Sequence, residues 1–261
     1  MRWLGRFADR DLALKGVRNV PNPSASFDGT PTGCDPWDYF WTFSVRRQER
    51  ANVYVDGWNL WFAIADLGVP HLLWLSIAGL ANDLVRQDGR TFGSVCYFSA
   101  DPKHRSRSDL LHVVNHRTYM RALHESGVEC IMGYFGSKEM TCSTCRHKFR
   151  AAEEKETDVA IGVRIAHDAF THKFDVAYLV SCDGDYGPVA RLFRDHLPSK
   201  KFVAVAIPGR AQTPSLLGLT SHHRRINRGQ LDRNLLPQRV PTKRSTHIIR
   251  PAAYAPPPSS R

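Results

Sequence analysis

The chain is 261 residues long, 42% of them hydrophobic, and it carries a formal net charge of +11. This length allows one sizeable domain with extensions, and the apolar fraction suffices for a buried core. No run of eighteen apolar residues occurs, which argues against a membrane-spanning helix. The charged N-terminus lacks the apolar stretch of a secretory signal. We therefore expect a cytoplasmic protein without a membrane partner.

Residues 1–50 show no clear periodicity, and the prolines and glycines between residues 19 and 36 indicate a flexible or disordered leader. From Ala51 onward, short apolar runs alternate with amphipathic segments. The predicted strands, about five as is common for such sheets, cover 53–55, 92–98, 129–135, 176–181 and 202–207. The predicted helices cover 58–67, 71–86, 109–126, 153–170 and 188–196. This alternation indicates a mostly parallel sheet with helices on both faces, and we expect a three-layer α/β/α domain over residues 51–236.

Residues 237–261 are rich in proline, which predicts a disordered basic tail that recruits a protein partner or serves as a spacer. Positive charge is concentrated at this end of the chain. Residues 222–261 hold nine Lys and Arg residues and one acidic residue. Residues 51–221 hold nineteen Lys and Arg residues and eighteen acidic residues. Such a segment suits a phosphate backbone, which it binds with release of counterions. The alternative is a solvated segment that only raises solubility.

Acidic residues follow two of the predicted strands and open one predicted helix. Asp56 ends the first strand, Asp183 and Asp185 follow the strand at 176–181, and Asp158 lies four residues beyond Glu154, so that both can project from one helix face. Ligands of an open parallel sheet bind at the carboxyl ends of the strands. Carboxylates gathered there would repel one another unless a divalent cation such as Mg²⁺ or Mn²⁺ were bound. A cation of this kind can activate a water for hydrolysis of a phosphodiester.

None of these signals is decisive alone. Asp-Gly-x-Asn is common in turns, Asp-x-Asp also occurs in phosphatases and glycosyltransferases, and an acid such as Asp158 is favoured at any helix N-terminus. Their ordered combination is more informative.

Three segments, VYVDGWNLW, EEKETDVAIG and LVSCDGDYGPV, resemble in this order the three motifs of NYN domains, bacterial relatives of the PIN-domain nucleases. The resemblance covers nearly all of residues 51–236, including the strand-like stretch HHRRIN. It implies a PIN-like fold and an endoribonuclease that depends on Mg²⁺ or Mn²⁺ and cleaves RNA.

The same resemblance implies roles for individual residues. The metal-binding acids would be Asp56, Asp158, Asp183 and Asp185. Asn59 would position a water, a metal ion or a phosphate, and Ser181 would support the loop. Lys155 matches the Glu-Lys pair of the middle motif and is a candidate for phosphate contact, with an ordinary surface lysine as the alternative. Tyr186 stands where the family often has an aromatic residue, and we expect it to serve packing.

Cys142 and Cys145 form a Cys-x-x-Cys pair in the loop before the predicted helix 153–170. Their spacing suits one half of a tetrahedral structural zinc site, but the sequence does not indicate the other half. An unbound surface loop and a redox pair are the alternatives. The cysteines do not form a disulfide framework, which is typical of a reducing compartment.

Basic side chains are expected to hold the RNA backbone without reading its sequence. The candidates are Lys103, Arg105, Arg107, Arg224, Arg225 and Arg228. Two other classes of function stay open. One is a non-catalytic RNA-binding regulatory module, and the other is a metal-dependent phosphatase acting on small molecules. A DNA substrate also stays open, because nothing in the sequence detects a 2′-hydroxyl. The sequence leaves homodimerisation open as well.

Overall fold

A seven-stranded sheet forms the centre of the protein, in a computed structural model that describes residues 47–102 and 110–257, apart from the side chains of residues 151–153. Its strands are β1 (Arg50–Asp56), β2 (Thr91–Ala100), β3 (Glu129–Thr141), β4 (Lys148–Lys155), β5 (Val176–Val180), β6 (Lys201–Ala206) and β7 (His222–Arg225). They lie in the order β4-β3-β2-β1-β5-β6-β7. All neighbours are parallel except β3 and β4, which form an antiparallel hairpin.

Helices cover both faces of the sheet. They are α1 (Gly57–Asp66), α2 (Ile77–Gln87), α3 (Leu110–Glu125), α4 (Thr157–Phe170), α5 (Gly187–His196), α6 (Pro214–Leu217) and α7 (Arg228–Arg233). One apolar cluster packs α1, α2 and α3 against the sheet, and a second packs α4 and α5 against its other face. Since side chains alternate along a strand, β5 supplies Tyr178 to the first cluster and Leu179 to the second. The expected three-layer α/β/α fold is confirmed.

The five predicted strands are present, and the sheet gains β4 and β7 at its edges. The predicted helix 71–86 is divided into a 3-10 helix at Pro70–Trp74 and α2. The division falls at Ser76, whose hydroxyl accepts a hydrogen bond from the Gly79 amide at 3.1 Å and so caps α2.

The helix predicted from residue 153 begins at Thr157 instead. Residues 148–155 pair with β3 along their whole length, with Glu154 opposite Phe135. The chain then turns through Glu156, which adopts a left-handed φ of 73°. For a residue other than glycine this backbone conformation costs on the order of 1–3 kcal/mol. The strained turn lies between Glu154 and Asp158, two residues that reach the same site.

The prediction of a disordered tail from residue 237 is wrong for residues 237–257. Strands β8 (Arg239–Pro241) and β9 (His247–Ile249) form an antiparallel hairpin, followed by a 3-10 helix at Ala252–Tyr254. Val240, Ile248 and Tyr254 are buried in the first apolar cluster, and the Trp74 indole donates to the Pro237 carbonyl at 2.9 Å. Because these apolar side chains reach the core, the prolines mark turns in an ordered segment.

The ordered domain also begins slightly earlier than expected. Glu49, assigned to the leader, forms ion pairs with Arg90 at 3.0 Å and Lys201 at 2.5 Å. The rest of the predicted leader, residues 1–46, lies outside the described residues, as do Lys103, Arg105, Arg107 and the last four residues. Within the described part of the chain, every helix is too short or too polar to cross a bilayer.

Candidate active site

The order in which the strands are added to the sheet reverses at its centre, between the parallel strands β1 and β5. The strands that follow β1 extend the sheet on one side through β2 and β3, whereas β5, β6 and β7 extend it on the other. A crevice forms at such a switch point, outside the carboxyl ends of the strands, and it is where open α/β sheets bind ligands. Asp56 ends β1 and Asp183 follows β5, so both border this crevice.

Asp56 is buried and accepts three hydrogen bonds. Its Oδ1 accepts from the Asn59 amide at 3.0 Å, and its Oδ2 accepts from the Ser181 hydroxyl at 3.0 Å and the Tyr186 hydroxyl at 3.2 Å. Burial raises the pKa of Asp56 to about 6; the three hydrogen bonds oppose this shift, and the nearby charge of Asp158 adds to it. The carboxylate is therefore held in one orientation but is short of positive charge.

The Tyr186 hydroxyl also lies 2.7 Å from the Asp158 Oδ1, and because a phenol has one proton, the two carboxylates share this donor. One buried hydroxyl thus joins Asp56 on β1 to Asp158 in the first turn of α4. The ring of Tyr186 is buried in the second apolar cluster, as expected for packing. Its hydroxyl has a second role that the sequence did not indicate, namely to fix the spacing of two carboxylates.

Glu154 belongs to the same group, although the sequence gave it no role in the site. It is the second-last residue of β4, and its Oε1 accepts from the Thr157 hydroxyl at 2.6 Å. Burial raises the pKa of Glu154 to about 7, the Thr157 hydrogen bond opposes this, and the charges of Asp56 and Asp158 raise it further. We refer to Asp56, Glu154 and Asp158 as the carboxylate cluster.

Asp183 and Asp185 lie in the turn that follows β5, and among the described residues their side chains share no hydrogen-bond donor with the carboxylate cluster. The Asp183 amide donates to the Ser181 hydroxyl at 3.1 Å, and the Asp183 Oδ1 accepts from the Asp185 amide at 3.0 Å. Asp183 is half-buried and Asp185 is exposed. The four acids of the sequence prediction are thus on the same edge of the sheet, but only Asp56 and Asp158 share a hydrogen-bond donor.

Among the residues that the structure describes, no three His, Cys, Asp or Glu side chains are arranged to hold a single metal ion. The chemistry of the donors nevertheless suits a hard cation, because the carboxylate cluster supplies only oxygen ligands and carries unneutralised negative charge. The raised pKa values of Asp56 and Glu154 are what such crowding and burial produce. Asp56, Glu154 and Asp158 are the oxygen donors that this edge of the sheet offers to a hard cation, and Asp183 lies on the neighbouring loop after β5.

Asn59 and Ser181 organise the loop after β5. The Asn59 Oδ1 accepts from the Cys182 amide at 3.2 Å, which ties the first turn of α1 to this loop. Gln212 donates to the Ser181 carbonyl at 2.7 Å from the other side. Within the described residues, the Gln212 Oε1 is buried without a hydrogen-bond partner. Buried acceptors of this kind usually meet water or a ligand.

The close approach of β1 to β2 at the site requires glycine after Asp56. A Cβ atom on Gly57 would lie 2.3 Å from the carbonyl oxygen of Phe98 and 2.6 Å from the Tyr97 ring. No side chain fits in this space, so the Asp-Gly pair is needed to begin α1 directly at the end of β1.

A polar groove of about 530 Å³ lies along β6 and β7. Gln212, Arg224 and Arg225 line it, and Arg225 is close enough to Cys182 to lower the pKa of that thiol, against the stronger raising effect of burial. Arg224 forms an ion pair with Asp88. Arg228, also predicted to contact RNA, pairs with Asp232 at 2.9 Å. Lys155 is exposed beside Glu154.

The Cys-x-x-Cys pair lies in the turn of the β3–β4 hairpin. Cys145 is exposed and Cys142 half-buried, and neither forms a disulfide. Hydrogen bonds from the amides of Cys145 and Thr144 lower the pKa of Cys142.

No family model matches the chain. The chain is 25% identical over 238 residues to the 6-hydroxy-3-succinoylpyridine 3-monooxygenase HspA of Pseudomonas putida (strain DSM 28022 / S16), an alignment that covers 78% of this chain and 75% of that protein. Among solved structures, it is similar to a protein of unknown function from Vibrio parahaemolyticus RIMD 2210633, with 16% identity, a TM-score of 0.44, and coverage of 73% of this chain and 98% of that one. These likenesses are distant and do not by themselves define the activity of the chain.

Proposed function

We propose that this protein is a metal-dependent ribonuclease that hydrolyses RNA phosphodiester bonds at the carboxylate cluster. The observation that carries the proposal is the burial of Asp56 at the switch point of the sheet, facing Asp158 and Glu154, with the pKa of Asp56 raised to about 6 and that of Glu154 to about 7. A fold rarely gathers acids at such electrostatic cost unless they serve function.

The residues of the cluster have distinct roles in this proposal. Asp56, fixed by the Asn59 amide and the Ser181 hydroxyl, is the most rigid oxygen donor. Tyr186 sets the position of Asp158 relative to it. Mg²⁺ or Mn²⁺ bound to these carboxylates would supply a water of low pKa and stabilise charge on the phosphate. Asp183 and Asp185 follow β5 at the same edge of the sheet, and in this proposal they contact the ion, the water or the leaving oxygen.

Basic groups support a polyanionic substrate. Arg224 and Arg225 line a groove that runs along β6 and β7 from the same edge of the sheet, and Lys155 follows Glu154 directly. Contacts of this kind position a phosphate backbone and do not read its sequence.

The proposal is tested by cleavage of a labelled mixed-sequence RNA in Mg²⁺ or Mn²⁺, with a chelator as the metal-free arm. We expect metal-dependent cleavage by the wild type and a loss of more than about 100-fold in Asp56→Asn and Asp158→Asn, because even the hydrogen-bond partners of metal ligands contribute 10–100-fold. Asp195→Asn is the matched control. Asp195 is exposed at the far end of α5 and pairs with Arg194 at 2.6 Å, so its variant should cleave like the wild type.

Three outcomes would contradict the ribonuclease. Cleavage that survives both substitutions would indicate a contaminant or another site. Binding of RNA without cleavage in either metal would favour the regulatory RNA-binding module. Hydrolysis of a generic phosphomonoester with intact RNA would favour the phosphatase. A DNA substrate of the same sequence, assayed under the same conditions, shows whether the protein cleaves RNA, DNA or both.

The relationship to HspA favours a second candidate, mono-oxygenation of a hydroxypyridine. A mono-oxygenation transfers one atom of O₂ to the substrate and reduces the other to water with electrons from a reductant such as a nicotinamide, and the name of HspA places the reaction at ring carbon 3, which carries the succinoyl group. The measurement is O₂ consumption with 6-hydroxy-3-succinoylpyridine and NADH. Consumption coupled to product, without RNA cleavage, would replace the ribonuclease proposal.

A further inference from the structure

A group of aromatic rings borders the carboxylate cluster. Trp58 follows Asp56 by two residues, in the first turn of α1, and further aromatic rings from α1 and from β3 lie around its indole. The ring centroids of Trp61, Phe62 and Phe135 are 5.7, 5.6 and 5.7 Å from that of Trp58. Such distances are typical of aromatic rings in direct contact. We refer to these four residues as the aromatic group.

The pairing of β3 with β4 places the aromatic group beside a carboxylate of the cluster. Phe135 on β3 lies directly opposite Glu154 on β4. Side chains of directly opposite residues in an antiparallel pair project from the same face, with their Cβ atoms about 5 Å apart. The Phe135 ring is therefore a neighbour of the Glu154 carboxyl, and Trp58 contacts the same ring from α1. A ligand that reaches the carboxylates also meets the aromatic group.

The aromatic group is anchored at Trp58 and open to solvent at its other members. Trp58 is 8% exposed, and its indole stacks on the His116 imidazole with ring centroids 5.3 Å apart and an interplanar angle of 2°. The Ser99 hydroxyl lies 2.9 Å from the His116 Nε2 and holds the imidazole in place. Phe62 is 38% exposed, and the other two rings of the group are half-buried. Because these rings are fixed before a ligand arrives, stacking a flat ligand on them costs little side-chain entropy.

We propose that the aromatic group stacks an unpaired base of the RNA whose phosphate lies at the carboxylate cluster. This inference rests on the proposed ribonuclease activity and adds a binding subsite to it. A base and its phosphate are joined through one ribose, so a phosphate at the cluster brings its own base to the adjoining rings. Any base suits such a surface, because every base has a flat π-face. A paired base is already stacked within its helix, so the substrate class is single-stranded RNA.

The test uses the full-length Asp56→Asn variant in Mg²⁺, in which we expect no cleavage, and an oligonucleotide of stable abasic spacers that carries a single 2-aminopurine. The fluorescence of this base is quenched when it stacks on an aromatic ring, and we expect quenching on binding. Adding Phe135→Leu, which keeps an apolar side chain without a π-face, should remove most of the quenching. It should also weaken binding by about 5- to 100-fold, the range of one base–aromatic contact.

Two further variants separate stacking from a structural effect of the substitution. Phe135→Tyr keeps the π-face and should restore both the quenching and the affinity. Phe170→Ala is the matched control, because Phe170 is 58% exposed at the opposite end of α4 from Asp158. It should bind and quench the probe like the parent protein. A blunt RNA duplex should displace the probe more weakly than a single-stranded oligoadenylate of the same length.

Another comparison needs no ring variant. An oligonucleotide that is abasic throughout should bind to the parent protein as weakly as the 2-aminopurine probe binds after Phe135→Leu. Equal affinity for the two oligonucleotides, equal displacement by duplex and single strand, or quenching that Phe135→Leu leaves unchanged would each overturn the proposal. Binding of 6-hydroxy-3-succinoylpyridine in place of the oligonucleotide, lost in Phe135→Leu, would assign the rings to a small heterocycle instead. Since stacking is measured without cleavage, this proposal and the ribonuclease can fail independently.

Discussion

Among the described residues, the Tyr186 hydroxyl is the one group that contacts both Asp56 and Asp158 at hydrogen-bond distance. A hydroxyl donor stabilises the ionised form of a carboxylate and so lowers its pKa. In Tyr186→Phe this donor is lost while the buried ring remains. We therefore expect the pKa of Asp56 to rise further above about 6, as measured by NMR titration of the carboxylate carbons. If catalysis requires ionised Asp56, the acidic limb of the pH–rate profile should move to higher pH by the same amount.

Tyr54→Phe is the control for this substitution. Tyr54 is also a buried tyrosine, and its hydroxyl donates to Asp168 at 2.9 Å. Arg164 and Lys173 also pair with Asp168, which is away from the carboxylate cluster. The pKa of Asp56 should not move in this variant. An unchanged pKa of Asp56 in Tyr186→Phe would mean that solvent or another donor replaces the hydroxyl, and the assigned role of Tyr186 would be wrong.

At the residue scale, the sequence indicated Asp56 and Asp158 because each adjoins an apolar segment, where an unpaired carboxylate is energetically costly. It did not indicate Glu154 as a member of the site. Glu154 lies in the charged run KFRAAEEK, which has no apolar periodicity and reads equally well as the start of a helix. Its place at the site depends on pairing with β3 and on the left-handed turn at Glu156, and neither is encoded in the local pattern.

At the element scale, the β8–β9 hairpin contributes to the stability of the domain. Ile248 is 5% exposed and packs in the first apolar cluster, whereas its neighbour Ile249 points outward and is 51% exposed. We expect Ile248→Ala to lower the free energy of unfolding by roughly 2–4 kcal/mol, the range found for such truncations in cores. Ile249→Ala, which removes the same atoms from the exposed side of the strand, should change it by no more than about 0.5 kcal/mol.

Urea denaturation followed by circular dichroism measures both variants. Equal and small effects would mean that the hairpin is not docked in solution, as the proline content of the segment had suggested. Proline is incompatible with the interior of a helix or of a central strand, but it is permitted in short edge strands. A proline-rich segment can therefore be either a disordered tail or a docked hairpin. Composition alone therefore could not separate a disordered tail from a short hairpin anchored by Val240, Ile248 and Tyr254.

The central strands that the sequence predicted differ in one physical respect from the edge strands β4, which it missed, and β7, which it indicated only as a strand-like stretch. The central strands β1, β5 and β6 are buried on both faces, so each contains a continuous apolar run. The edge strands β4 and β7 have polar sequences, KFRAAEEK and HHRR, and all four residues of β7 are exposed. These edge strands are held by backbone hydrogen bonds to one neighbour, β3 for β4 and β6 for β7, and charged side chains there prevent further pairing.

At the scale of the whole molecule, the location of the site follows from topology and could be predicted. An alternating pattern implies a parallel sheet, and such a sheet collects the residues that follow its strands at one edge. The distances between the acidic side chains at that edge could not be predicted. The sequence placed four acids in one pocket, whereas the structure brings Asp56 and Asp158 together through Tyr186, adds Glu154, and leaves Asp185 exposed.

The distribution of charge over the molecule leads to a final prediction on RNA binding. Arg225 is exposed at the end of β7, lines the groove beside the site, and forms no ion pair with a described residue, so it is available to a phosphate. Arg228 is paired with Asp232. For single-stranded RNA, each phosphate contact contributes about 0.7 to the slope of log K against log salt concentration. We expect Arg225→Ala to weaken binding and reduce that slope by about 0.7, measured by fluorescence anisotropy in the catalytically impaired Asp56→Asn background, and Arg228→Ala to change it much less. Equal slopes in the two variants would show that the groove along β6 and β7 does not carry the RNA backbone.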